Sequence, residues 1–121
     1  MLVHVFLNEH WQKLNKLIKY QMMVKHIVLF KLKETLSKEE KYEVMNRFKS
    51  AIEALPEKID VIRKVFVGLN MNETETWDIC LESEFDTLDD VKYYAAHPNH
   101  IAAAGILKDV KQDRACVDYE Y

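Results

Sequence analysis

The residues best suited to chemistry are Tyr94, His97 and His100, spaced three and three, with Pro98 inside the run. On one continuous helix that spacing puts all three on roughly one side. Pro98 predicts a break at His97, so a shared direction does not follow from spacing alone. A neutral imidazole accepts a proton near pH 7, and a carboxylate can fix its tautomer. A phenol donates a hydrogen bond to a carbonyl or enolate oxygen. On that chemistry His100 is a base and Tyr94 stabilises an oxyanion. Asp118 or His26 would orient or polarise the pair. The structural reading of the same residues has His97 capping a helix and His100 tying helix to sheet. Tyr94 would then be a core aromatic with a satisfied hydroxyl, since buried polar clusters often only specify packing.

His26 belongs to the segment Val24–Leu32, which alternates with period two. Its side chain falls on the face of Val24, Val28, Phe30 and Leu32. A polar residue in an apolar row needs a partner if buried. His26, His100 and Asp118 are therefore candidates for one buried polar cluster. These ligand types also suit zinc or iron. No His-Glu-x-x-His helix is present, however, and a helix-start proline separates His97 from His100. The sequence therefore predicts no metal and no cofactor.

The elements that must position these residues read clearly. Ser37 and Glu40 have capping-box spacing. Val44, Met45, Phe48, Ala51, Ile52 and Leu55 then recur at helical spacing up to Pro56. Residues 59–68 and 76–85 read as second and third strands, with a turn-rich stretch over 70–74. Thr87 and Asp90 open a short helix, and Pro98 opens another capped by His97 or a neighbour. A last strand is predicted over 115–121. The order βαββα(α)β predicts an α+β domain, a four-stranded antiparallel sheet with helices on one face.

The first two strands are apolar on both faces: Ile27 and Leu29 oppose Val28 and Phe30, and Ile62 and Phe66 oppose Val61, Val65 and Val67. A sheet with one face in water alternates more cleanly. The second face therefore calls for a cover, and a second copy of the chain is the simplest one. The alternative cover is the N-terminal segment. Residues 1–22 read as an extension ahead of a domain over 23–121. Asn8 would cap a helix reaching Tyr20, with Trp11, Leu14, Leu17 and Ile18 on one side, packed on the domain. The other reading of that segment is a basic amphipathic helix that touches a membrane or partner.

Composition sets the outer bounds. The 121 residues are 49% hydrophobic and 31% charged, with a net charge of −3, a globular balance without the basic excess of a nucleic-acid binder. The acidic run at 82–84 and the acids Asp86, Asp89 and Asp90 read as solvated faces and helix-start charges. Trp77, Tyr93, Tyr119 and Tyr121 read as core or interface aromatics. No run is long enough to cross a membrane, and no signal-peptide pattern is present, so the cytosol is the expected compartment. Gly68 and Gly105 stand alone, which excludes a phosphate-cradling loop. Cys80 and Cys116 are predicted to be buried free thiols. If the third and fourth strands flank the first, they lie two strand spacings apart, roughly 10 Å, too far for a disulfide.

Taken together, several stretches resemble the stress-responsive dimeric α/β-barrel (Dabb) family. They are residues 24–31 (VKHIVLFK), 67–70 (VGLN), 85–87 (FDT), 94–100 (YAAHPNH) and 117–119 (VDY). The resemblance spans 23–121. It implies a ferredoxin-like fold and a homodimer whose sheets form a barrel. Plant polyketide cyclases of this family close an aromatic ring by cofactor-free aldol condensation. Their catalytic tyrosine and histidine match Tyr94 and His100. Supporting pocket positions match His26, Val28, Phe30, Leu81 and Asp118. The helix positions shaping that pocket read Val44, Met45 and Phe48, less aromatic than in the cyclases. The implied ligand-binding set is thus Val28, Phe30, Met45, Phe48 and Leu81, with His97 beside the catalytic pair. Three roles follow as expectations. The first is a homodimeric stress-related or small-molecule-binding module whose pocket holds a small apolar molecule or nothing. The second is a cofactor-free cyclase, lyase or isomerase. The third, by architecture alone, is a cofactor-independent monooxygenase.

Overall fold

The computed structural model describes residues 7–15 and 22–121. Helix α1 covers residues 7–15. Then follow β1 (Val24–Leu32), α2 (Lys38–Glu53), β2 (Lys64–Leu69), β3 (Ile79–Phe85), α3 (Leu88–Ala96), α4 (Pro98–Ala104) and β4 (Lys111–Glu120). Single 3-10 turns follow α2 and α4. The strands form one antiparallel sheet in the order β2-β3-β1-β4. This is the α+β, ferredoxin-like arrangement that the element order predicts.

The alternation in β1 is physical. Val24, His26, Val28, Phe30 and Leu32 are buried, and the residues between them are half-buried. The buried row meets Phe48 and Ile52 of α2, Val91 and Tyr94 of α3, and Ile79, Leu81 and Phe85 of β3. Helix α2 starts on a complete capping box: Ser37 accepts from the Glu40 backbone, and the Glu40 side chain accepts from the Ser37 backbone. Thr87 caps α3 with its side chain alone, accepting from the Asp90 backbone N–H.

Four boundaries differ from expectation. The helix α2 ends at Glu53, and Pro56 falls in the 3-10 turn Leu55–Glu57. Strand β2 starts at Lys64 rather than 59. Ile59 and Ile62 are buried from a turn in which the Ile59 backbone N–H donates to Leu55 and that of Ile62 to Ile59. They serve the core without joining the ladder. Strand β3 starts at Ile79 rather than 76, and just before it the Asp78 carboxylate accepts from the Leu32 backbone N–H at 2.7 Å. Strand β4 starts at Lys111, four residues before the expected start at 115. All of its residues are exposed, so it is an edge strand held by backbone pairing to β1 without a helix above it.

The N-terminal expectation is also corrected. Every residue of α1 is exposed, Trp11 to 61%, and Asn8 lies inside the helix rather than at its cap. Helical periodicity creates an apolar stripe but does not specify its target. The expected continuation through Leu17 and Ile18 to Tyr20 lies outside the described residues. Both cysteines are free, but the expectation of burial fails: Cys80 is half-buried and Cys116 exposed. They sit on strands separated by β1. Among the described residues, no helix is long and apolar enough to cross a membrane.

The sheet face away from the helices carries cross-strand rows set by the register. One row is Phe66, Glu82, Ile27 and Val117; the next is Gly68, Cys80, Leu29 and Ala115. Phe66 is 50% exposed, Val117 53% and Tyr119 44%. At one end Lys25 pairs with Glu84 at 3.7 Å and lies over the Tyr121 ring.

Candidate active site

The break at Pro98 builds the site. The chain turns at His97, which caps α4 by accepting from the Asn99 backbone N–H through Nδ1 at 3.1 Å. In an unbroken helix that N–H would bond the Ala95 carbonyl four residues back. The carbonyl of Ala95 instead accepts from His100 Nδ1 at 3.0 Å. A carbonyl can only accept, so Nδ1 carries the proton and Nε2 holds the lone pair. Burial pushes the His100 pKa below its ordinary value, partly offset by the bond to Ala95. His100 is thus a neutral imidazole with a basic nitrogen free at neutral pH.

Tyr94 stands against it. The two ring centroids are 4.3 Å apart. Tyr94 is 1% exposed, and its hydroxyl has no hydrogen-bond partner. Desolvation raises its pKa well above the ordinary value, so the phenol keeps its proton. Such an orphaned buried hydroxyl is rare and costly. Phe85 packs on Tyr94 from below, centroids 5.1 Å apart, and on His26 at 6.3 Å.

His26 is the second polar centre. Its Nδ1 lies 2.5 Å from Asp118 Oδ1, because the register sets the two residues directly opposite each other on β1 and β4. The His26 ring is 6.2 Å from that of Tyr94. The Asp118 side chain is 32% exposed, at the uncovered edge. One fully buried cluster of His26, His100 and Asp118 is therefore not what forms. The structure makes two adjoining units instead, Tyr94–His100 and His26–Asp118. The tautomer of His100 is set by a backbone carbonyl, not by a carboxylate.

The remaining residues of the expected site divide by location. Val28, Phe30, Phe48 and Leu81 are buried in the core, with the Phe30 and Phe48 rings edge to face at 5.4 Å. Met45 is partly buried against them. His97 is occupied as a cap, and its ring faces Tyr93. Sequence reasoning passed over two participants. The Ala95 carbonyl could have been found from the His97 cap, which draws the Asn99 N–H away from its partner four residues back. Cys116, whose Sγ is 3.7 Å from His26 Nδ1, could have been found from its position two residues before Asp118 on the same strand face.

A split βαβ sheet with helices on one face and a Tyr–His pair at the α3–α4 break defines a class of small α+β proteins. Residues 24–121 match the Stress responsive A/B Barrel Domain (Dabb), and the chain belongs to that family. A dimeric protein of unknown function and ferredoxin-like fold from Bacteroides fragilis is 68% identical. That match covers 82% of this chain and 96% of the other, with a TM-score of 0.81. Olivetolic acid cyclase from Cannabis sativa is 22% identical over 101 residues, 81% of this chain and 96% of the cyclase. Hydroxynitrile lyase from Passiflora edulis shares the fold at 15% identity and a TM-score of 0.67, covering 82% and 93% of the two chains.

Proposed function

We propose that this protein is a homodimer whose Tyr94–His100 pair binds a small apolar carbonyl compound and moves a proton on it without a cofactor. The observation that carries the proposal is the buried Tyr94 hydroxyl, unpartnered and set against a neutral imidazole. Nε2 of His100 takes a proton from a carbon next to the carbonyl. The Tyr94 O–H donates to the enolate oxygen that results, in surroundings where that bond is strong. The enolate carbon can then attack a second carbonyl of the same chain, forming a C–C bond, and the alkoxide takes the proton back. The His26–Asp118 pair stiffens the wall beside Tyr94. The names of the cyclase and the lyase among the similar proteins fit carbonyl chemistry of this kind.

The homodimer rests on the open sheet face. Ile27, Leu29, Phe66, Val117 and Tyr119 make an apolar surface that no helix of the described residues covers. A second sheet packed face to face buries it. The Bacteroides fragilis relative is a dimer. A monomer with both strands' apolar residues in water would be a poor solution for a 121-residue chain.

The test is a thermal-shift screen of wild type and His100→Ala against 1,3-diketones, phenols, quinones and polyketide-like chains. A compound that raises the melting temperature of wild type and not of the variant supports the site, because ligand binding to the native state stabilises it. Equal shifts in both proteins would sink it. Binding without turnover would point to the stress-related, small-molecule-binding role instead.

A further inference from the structure

We propose that His26 Nδ1, Cys116 Sγ and Asp118 Oδ1 form an open three-ligand site for a divalent first-row cation of the zinc class. The three ligand atoms lie within 4.8 Å of one another, on strands already locked in register. Cys116 and Asp118 alternate on β4, so both point to the helix side of the sheet, and His26 stands across from Asp118 on β1. Imidazole nitrogen, thiolate sulfur and carboxylate oxygen are the donor types that zinc selects. Three protein ligands with one open position make the arrangement of a reactive rather than a purely structural site.

The distances suit an ion after small shifts. Bonds of about 2.0 Å to nitrogen and oxygen and about 2.3 Å to sulfur set tetrahedral ligand atoms about 3.3–3.6 Å apart. His26 Nδ1 and Cys116 Sγ are 3.7 Å apart. The carboxylate, now 2.5 Å from Nδ1, must back away by less than an ångström. It has room, since Asp118 lies on the uncovered edge strand and is partly exposed. The same exposure gives the ion a path in and water a place in the fourth position.

Proton balance is simple. Without metal, Nδ1–H donates to Asp118. On binding, the imidazole proton sits on Nε2, Nδ1 gives its lone pair to the ion, and the Cys116 thiol releases one proton to solvent. Burial and Asp118 push the Cys116 thiol up, with Arg114, next on the same strand face, working the other way, so the charge of the ion itself must draw off the proton. The ion would displace the His26–Asp118 hydrogen bond, so metal-loaded and metal-free protein differ in the wall beside Tyr94. This site does not depend on the Tyr94–His100 reading, because it shares no ligand with it.

The test is titration of the purified full chain with cobalt(II) as a spectroscopic stand-in, followed by competition with zinc(II). The expected result is one cobalt per chain, a thiolate-to-cobalt charge-transfer band in the near ultraviolet and visible bands of four-coordinate intensity, all erased by zinc. Cys116→Ser removes the charge-transfer band. Asp118→Asn keeps it but weakens binding by about 10-fold or more, the least expected when even a supporting residue is lost. Cys80→Ser, altered on the opposite sheet face, leaves everything unchanged. Both substituted β4 positions are exposed, so the folded variants can be checked by circular dichroism. The proposal is overturned if wild type gives no thiolate band, or if Cys116→Ser retains it.

Discussion

Removing the Tyr94 hydroxyl should make the protein more stable and less able to act. The hydroxyl is fully buried with no partner. A buried polar group left unsatisfied costs about 1–3 kcal/mol. Tyr94→Phe keeps the ring contacts with Phe85 and His100 and deletes only the oxygen. The variant should therefore gain about 1–2 kcal/mol, with the small void left by the oxygen taking back part of the desolvation gain. At 121 residues, between the size classes for which the shift is known, each 1 kcal/mol moves the melting temperature by about 4 °C. Differential scanning calorimetry at one fixed protomer concentration reads this, because a dimer's melting temperature depends on concentration. In turnover, loss of one donor to a developing oxyanion should lower kcat about 10²–10³-fold. A Tyr94→Phe variant that melts several degrees lower would refute the reasoning. That result would mean the hydroxyl is satisfied in solution and that Tyr94 serves packing alone.

Activity should rise with pH through a His100 value below the ordinary 6.5, then stay flat past pH 10, because burial lowers the imidazole pKa and raises that of Tyr94 above 10.0. The stability tied to His100 runs the same way. Its folded pKa is depressed, so its contribution is complete above pH 6.5 and is lost as pH falls through the folded value; urea melts at pH 5 and 7.5 check the sign. Val117→Asp should dissociate the dimer in light-scattering measurements, since burying an unpaired carboxylate costs about 3 kcal/mol or more, about a hundredfold in the dimer constant. Ser37→Ala should cost about 1 kcal/mol in urea denaturation by removing one side of the α2 capping box, with no change in ligand binding.

The legible parts of the fold were those where one local rule acts alone. The alternation of Val24–Leu32 showed β1 and both of its faces. The Ser37/Glu40 and Thr87/Asp90 spacings placed the starts of α2 and α3, and Pro98 placed α4. What misled was apolar residues serving the core from outside a strand. Ile59 and Ile62 are three apart and buried in a turn, yet they look like the start of β2. The opposite failure is the start of β4. Lys111 to Arg114 show no alternation, because the edge strand has no covered face to demand it.

The sequence could propose members for the candidate site but not their wiring. Tyr94 and His100 come from type and spacing, His26 from its place in an apolar strand row, and Asp118 with the family resemblance. Which of them pair depends on the sheet register and on where the helix breaks. The register gives Asp118 to His26, and the cap at His97 gives the Ala95 carbonyl to His100. Cys116 reads as a buried thiol because nothing in the sequence says that β4 lacks a helix above it.

The central claim is that His100 and Tyr94 together move a proton on a carbonyl compound. The direct measurement is deuterium uptake from D₂O into the acidic C–H of a 1,3-diketone that binds wild type, followed by proton NMR at near-neutral pD. Wild type should accelerate exchange over buffer, His100→Ala should return it to the buffer rate, and Tyr94→Phe should fall between them. Exchange by His100→Ala as fast as by wild type, or no acceleration by wild type with ligand bound, would contradict the account.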